Sequence, residues 1–309
     1  MTSCAILIPI THELIFLKKS IELIRRYKHP YIEQDIIIAD QSEEEDMSSI
    51  IENLYGSDSD ITIIKIPRID VGWSMDVSCK IAKGEYFCSL DGDAFPIHKN
   101  WLYVPIKLIE KYNFSFVGVD VGLSDSYDEY GKFSCISNYF RVSKTDLMRK
   151  ISEDVGFIRI QNWDKVGYKP KVEVPFYKDV DSAVISQWYA EKISGPKLSL
   201  AINKILGITN TQGVFGMITE DLVFHMSLFR KLEDKDHSEL DKNKEFGEYY
   251  LEWFDKINNG ITDELISEIV EKAIDCDHDR KLINHQLNED DIYKEIENLK
   301  NESCSNTIS

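Results

Sequence analysis

The chain has 309 residues, 43% hydrophobic and 29% charged, with a net charge of −18. That is enough for one large domain or a domain with an appendage, and no apolar run approaches the roughly 20 residues needed to cross a bilayer. From Leu232 onward there are 22 acidic and 9 basic residues, which puts −13 of the charge in the last quarter and −5 in the body; this balance excludes a nucleic-acid partner and offers no basic patch to anionic lipid.

Cys4 to Ile10 reads as a buried first strand, and the opening MTSCAILIPI lacks the basic segment of a signal peptide. The six cysteines are scattered with no CxxC pair, which suits a reducing, cytoplasmic setting. Thr11 or His12 caps a helix that runs to about Tyr27 and stops before Pro30. Asp35 to Asp40, DIIIAD, is a second buried strand. The segment EEEDMSSIIENLY, acidic in its first turn, is a helix, and Ile61 to Ile66 is a third strand. Strands and helices alternating at this spacing imply a parallel sheet with right-handed crossovers.

A helix-like run follows from Gly72 to Lys83, with Gly84 where a left-handed C-cap belongs. Tyr86, Phe87, Cys88 and Leu90 form a short apolar strand, closed by Asp91, Gly92 and Asp93, with Pro96 just beyond. Two carboxylates at the carboxyl end of a buried strand lie where open α/β sheets bind ligands. Ionised carboxylates only accept, so they suit a hard cation such as Mg²⁺ or Mn²⁺, and Gly92 between them permits close approach of a phosphate. The Asp-x-Asp spacing recurs at Asp58/Asp60, Asp179/Asp181 and Asp234/Asp236, so the signal lies in the setting rather than in the tripeptide.

This setting resembles the GT-A glycosyltransferases and, among them, the family-2-like enzymes, in which a helix ending Ala-x-Gly-Glu-Tyr leads into an apolar strand closed by Asp-x-Asp. The matching residues are Ala82, Gly84, Glu85, Tyr86, Asp91 and Asp93. The resemblance implies a Rossmann-like, mostly parallel sheet flanked by helices. It also implies a Mn²⁺ or Mg²⁺ ion held by Asp91 and Asp93, bridging the diphosphate of a UDP- or GDP-sugar beside Gly92. Carried over in the same way, Pro9, Thr11 and Asp40 hold the nucleotide; Arg68, just past the third strand, is either a partner for base or phosphate or a plain surface arginine. One departure stands out: many relatives carry Arg-Asn where this chain has Met75 and Asp76, so this helix does not identify the donor.

After Asp93, Lys99 to Tyr112 reads as a helix, Phe114 to Asp120 and Ser134 to Val142 as strands, and Ser143 to Ile151 as a short helix. The loop Ser124 to Lys132 either covers an acceptor or is plain surface. Phe157 to Phe229 is expected to build the acceptor side. Asp181-Ser182-Ala183 resembles an Asp-[Ser/Thr]-[Gly/Ala] element of related transferases and makes Asp181 a candidate base; Asp164, in NWDKVG, competes with it. Glu220 and Asp221 match a Glu-Asp dipeptide of family-2-like enzymes and are further base candidates. The strand LVFHMSLF matches one that in relatives ends in a metal-binding histidine, here His225. Neither GxGxxG nor GxxxxGK[ST] occurs, so a dinucleotide fold and a P-loop are unsupported, and the lack of Gln-x-x-Arg-Trp speaks against a polymer synthase.

From Leu232 on, Glu245 to Asn258, Thr262 to Asp275 and Asp290 to Lys300 read as amphipathic helices, and the closing NESCSNTIS as disordered. The expected organisation is an α/β GT-A domain over residues 1–231, with a nucleotide-sugar and metal half (1–120) and an acceptor half (121–231). Residues 232–309 would form an acidic helical appendage whose apolar stripes offer a homo-oligomer contact. The expected activity is metal-dependent, inverting transfer of one hexosyl or related group from a nucleoside diphosphate sugar to a saccharide hydroxyl. A nucleotidyltransferase and a non-catalytic nucleotide-sugar-binding protein are the alternatives. The first lacks its Gly-rich, Arg-containing loop after Ile10, and the intact Asp91/Asp93 pair speaks against the second.

Overall fold

The computed structural model describes residues 1–11, 14–43, 45–120, 136–176, 182–200, 202–205, 215–227, 262, 264–265, 274–275 and 288–302. Strands and helices alternate through the first part: β1 (Thr2–Ile10), α1 (Leu14–Arg26), β2 (Ile32–Asp40), α2 (Glu45–Tyr55), β3 (Ile61–Lys65), α3 (Val71–Ile81) and β4 (Tyr86–Leu90). Then come β5 (Ala94–Pro96), α4 (Tyr103–Tyr112), β6 (Val117–Asp120), β7 (Ile136–Lys144), α5 (Thr145–Asp154), a 3-10 turn (Ile160–Asn162), α6 (Trp163–Val166), α7 (Ser182–Ser194) and β8 (Leu198–Leu200). Four more strands, β9 (Ile202–Ile205), β10 (Phe215–Thr219), β11 (Val223–Ser227) and β12 (Ile274–Asp275), precede a last helix, α8 (Glu289–Asn301).

The main sheet has seven strands in the order β3-β2-β1-β4-β7-β6-β8, and only β7 runs against the rest. β1 shows why both faces must be covered. Cys4, Ile6, Ile8 and Ile10 point into one apolar core with α1, α2 and α4, while Ala5 and Leu7 point into another with α3, α5 and α7. A parallel strand buried on both faces reads as a continuous apolar run, which is how β1 and β2 appear in the sequence. The expected α/β class, a mostly parallel sheet flanked by helices, is the observed one. A second, antiparallel sheet, β12-β9-β10-β11-β5, was not expected. Among the described residues no helix is long and apolar enough to cross a membrane.

Two expectations need correction. Gly84 is not a left-handed cap, since α3 ends at Ile81 with Ala82 as its C-cap and Gly84 has no positive φ. It is small because a Cβ there would come within 2.6 Å of the Ala5 backbone nitrogen, where the turn into β4 passes beside β1. The helix expected over Thr262 to Asp275 does not reach its end, because Ile274 and Asp275 pair with Ile205 and Lys204 as a strand. The last helix, expected within the appendage, packs directly on the body of the fold. Ile292, Ile296 and Leu299 enter the same core as β1 and β4, and Lys111 pairs with Glu295 at 2.8 Å. The Asn100 amide meets the Leu299, Lys300 and Glu302 carbonyls at 2.8, 3.1 and 3.2 Å, which supplies partners to the carbonyls that a helix end leaves open. The helix Glu245 to Asn258 and the loop Ser124 to Lys132 lie outside the described residues.

If α8 belongs to the core, Ile296→Ala is expected to cost about 2–5 kcal/mol, as truncation of a buried isoleucine does. Denaturant unfolding measures this. A change within about 0.5 kcal/mol, the range of surface substitutions, contradicts the placement.

Candidate functional site

The acidic turn lies where the chain leaves one sheet for the other. β4 ends at Leu90 in the main sheet, β5 begins at Ala94 in the second, and only Asp91, Gly92 and Asp93 lie between them. The turn is tied from several sides. The Asp91 carbonyl accepts from the Ala94 N–H at 2.9 Å, and the Asp91 N–H donates to the Tyr139 carbonyl at 3.1 Å. From α1, the buried Ser20 hydroxyl faces the Gly92 and Ala94 carbonyls at 3.2 and 2.7 Å. A Cβ on Gly92 would lie 3.2 Å from the Pro9 carbonyl, so only a hydrogen fits easily between the turn and the end of β1.

β5 pairs antiparallel with β11, and the register sets His225 opposite Ala94. His225 Nε2 therefore lies 3.2 Å from Asp93 Oδ1 and 3.8 Å from Asp91 Oδ2, and one ligand atom from each of the three residues falls within 4.8 Å of the others. Asp93 is only 2% exposed. A carboxylate withdrawn from water needs a countercharge. Two carboxylate oxygens and an imidazole nitrogen fit a divalent cation, Mn²⁺ more readily than Mg²⁺ because of the nitrogen. The Tyr139 ring stacks on the His225 ring with centroids 4.2 Å apart and planes 7° apart.

Around this centre the other expected residues take varied places. Pro9, near the end of β1, lies beside the turn, and Thr11 follows the strand's last residue. Asp40, opposite Ile10 on β2, is fully buried. Its Oδ1 accepts from the Ser42 N–H at 2.8 Å and the Ser42 hydroxyl at 2.6 Å, and its Oδ2 from Ser48 and, at 3.0 Å, from Lys65 Nζ. Burial pushes the Asp40 carboxyl up, but these hydrogen bonds outweigh it and hold it below its usual range. The Gln41 amide reaches the Pro67 and Asp70 carbonyls, binding the end of β2 to the loop after β3, where Arg68 is exposed. Asp164 is exposed on α6. Glu220 and Asp221, at φ 48° and 54°, form the left-handed pair of a tight turn between β10 and β11, with the Leu222 N–H donating to the Thr219 carbonyl. Glu220 is buried, and Asp221 meets Lys300 of α8 at 3.4 Å. Asp181 lies outside the described residues.

At the two departing positions the structure gives physical roles. Asp76 is buried on α3 and accepts from the Phe157 N–H, 2.9 and 3.0 Å from its two oxygens, and from the Ile158 N–H at 3.1 Å. With Asp70, which accepts from Asn162 at 2.7 Å, it fastens the segment after α5 to α3. Met75 touches the buried Arg141 of β7, its sulfur 3.3 Å from the guanidinium, which also lies 4.7 Å from the Phe116 ring centre and 5.4 Å from that of Phe157. A guanidinium thus stands beside α3, supplied by β7 rather than by position 75. Ser20 and Tyr139 were not anticipated. Ser20 had a signal, a polar residue on the apolar stripe Leu17, Ile21, Ile24 of α1. Tyr139 had none, because its neighbours come from distant strands.

Residues 5–159 match the model of a family described as Glycosyl transferase family 2. No curated protein matches the chain. A solved mannosyltransferase from Pyrobaculum calidifontis, in complex with GDP-Man and Mn²⁺, is similar at 12% identity with a TM-score of 0.44; the similarity covers 63% of this chain and spans about half of that one, 54%.

Burial pushes the Asp76 carboxyl up from its ordinary 3.8 to about 7, and the bonds from the Phe157 and Ile158 amides offset this only in part. A folded value above the unfolded one makes the contribution full below about pH 4 and lost as pH rises to about 7. Asp76→Asn keeps an oxygen for both amides and removes the titration. Thermal melts from pH 4 to 7 should therefore show a shallower decline than the wild type, and an equal slope contradicts the assignment.

Proposed function

Because the chain belongs to glycosyl transferase family 2, we propose that it moves a single sugar from a nucleoside diphosphate sugar to a hydroxyl of a saccharide acceptor, with a divalent cation held by Asp91, Asp93 and His225. The observation that carries this reading is the convergence of those three side chains on the turn at the end of β4. When bound, the cation supplies charge to offset the leaving diphosphate.

The chain's own groups take the other tasks. Gly92, with no side chain, lets the diphosphate lie against the turn backbone. The nucleotide lies along the carboxyl ends of β1 and β2, lined by Pro9 and Thr11, with Arg68 reaching in from beyond β3. Asp40, already committed to Ser42, Ser48 and Lys65, shapes the rim of that pocket rather than bonding the base. Asp181, just ahead of α7, takes the acceptor proton in an inverting displacement. Residues 1–120 form the donor half and 121–231 the acceptor half. The buried thiols Cys4, Cys79 and Cys88 suit a reducing, cytoplasmic setting.

Two variants test the reading. Asp93→Ala is expected to abolish Mn²⁺-dependent binding of UDP and GDP in calorimetry while the circular dichroism spectrum stays native. Unchanged nucleotide affinity in that folded variant would sink the metal assignment. Asp181→Asn should leave donor and metal binding intact and slow transfer by about 10²–10⁴, the usual weight of a general base. Transfer at the wild-type rate moves the base to Asp221 or Asp164.

A further inference from the structure

Histidines that bind metal ordinarily fix their ring by donating the second nitrogen's proton to a carboxylate or carbonyl. His225 is held differently. Its Nε2 faces Asp93 and Asp91, and its Nδ1 is buried with no hydrogen-bond partner among the described residues. The torsion that turns an imidazole about its own axis is intrinsically broad, so the ring plane needs an external guide. The parallel ring of Tyr139, 4.2 Å away at 7°, is that guide.

Tyr139 is anchored at both ends. Its hydroxyl lies 3.3 Å from the Thr219 hydroxyl on β10, the strand beside β11. Its carbonyl accepts the Asp91 N–H at 3.1 Å. One residue of the reversed strand β7 therefore holds a carboxylate-bearing backbone with its main chain and the imidazole with its side chain. We infer that Tyr139 is a positioning residue for the cation site, setting the plane of the His225 ring and the seat of Asp91 so that their ligand atoms meet. The inference rests on the metal reading of Asp91, Asp93 and His225.

The test uses Mn²⁺ alone, titrated into the full chain and followed by the electron paramagnetic resonance of the free ion, for the wild type, Tyr139→Phe, Tyr139→Leu and His225→Ala. Phenylalanine keeps the stacked ring and the carbonyl, so its Mn²⁺ affinity should stay within about threefold of wild type. Leucine keeps only the carbonyl and should lose about 10–100-fold, the usual effect of removing a group that orients a ligand. In a His225→Ala background the leucine change should cost nothing further. A folded leucine variant with wild-type affinity overturns the inference, as does a phenylalanine variant as weak as leucine. A second measurement needs no leucine variant. The His225 ring protons of the wild type, assigned by their loss in His225→Ala, should resonate upfield from the ring current of Tyr139, and ordinary shifts overturn the stack. Wild-type protein that binds no Mn²⁺ while those upfield shifts are present overturns the metal reading itself, and the positioning role falls with it.

Discussion

The site depends on how short the passage is between the two sheets. β4 and β5 belong to different sheets, yet only three residues separate them, and two of these are aspartates. A link this short leaves little freedom in where the carboxylates point, because both ends are held by hydrogen-bonded strands. It also fixes the third side chain of the cluster. β5 pairs with β11 so that His225 stands opposite Ala94, next to Asp93. A slip of one residue in that pairing would turn the histidine to the other face of the sheet. Burial of β4 between its neighbours, the register of β5 with β11, and the tether from Ser20 all serve the same three atoms.

Much of the fold of the first 120 residues was legible because the pattern there is local. β1, β2, β3 and β4 are short apolar runs separated by amphipathic helices, and two-sided burial requires such runs. The acidic turn was legible for the same reason, since Asp91 and Asp93 sit at the end of an apolar strand. His225 was reached through resemblance, and the register of β11 supplied the geometry that resemblance lacked. What escaped was set by distant pairing. Nothing in SCISNYFRV distinguishes a strand running with the sheet from one running against it, so the reversal of β7, and with it the position of Tyr139, could not be read. The second sheet is built from short strands far apart in sequence. Gly84 was given the commoner role of a glycine after a helix, whereas closeness to Ala5 is what demands it. The amphipathic stripe of α8 was correctly apolar, but a stripe does not say which surface it meets.

Positions 75 and 76 show a substitution absorbed by its surroundings. With methionine at 75, Arg141 reaches across from β7 to place its guanidinium against the sulfur and between two phenylalanine rings. With aspartate at 76, the carboxylate accepts from two backbone amides of the segment that follows α5. Both residues are buried, so what they contribute goes through the packing of α3. The chain's heavy acidity lies mostly beyond Leu232, away from the turn in sequence, and leaves the local carboxylate pair as the feature able to attract a cation there.

Diffraction from crystals grown with Mn²⁺, recorded at a wavelength where manganese scatters anomalously, tests the central claim most directly. The account predicts one strong peak within coordination distance of Asp91, Asp93 and His225 Nε2. A peak elsewhere on the surface, with His225 still turned to Asp93 and nothing between them, would contradict it.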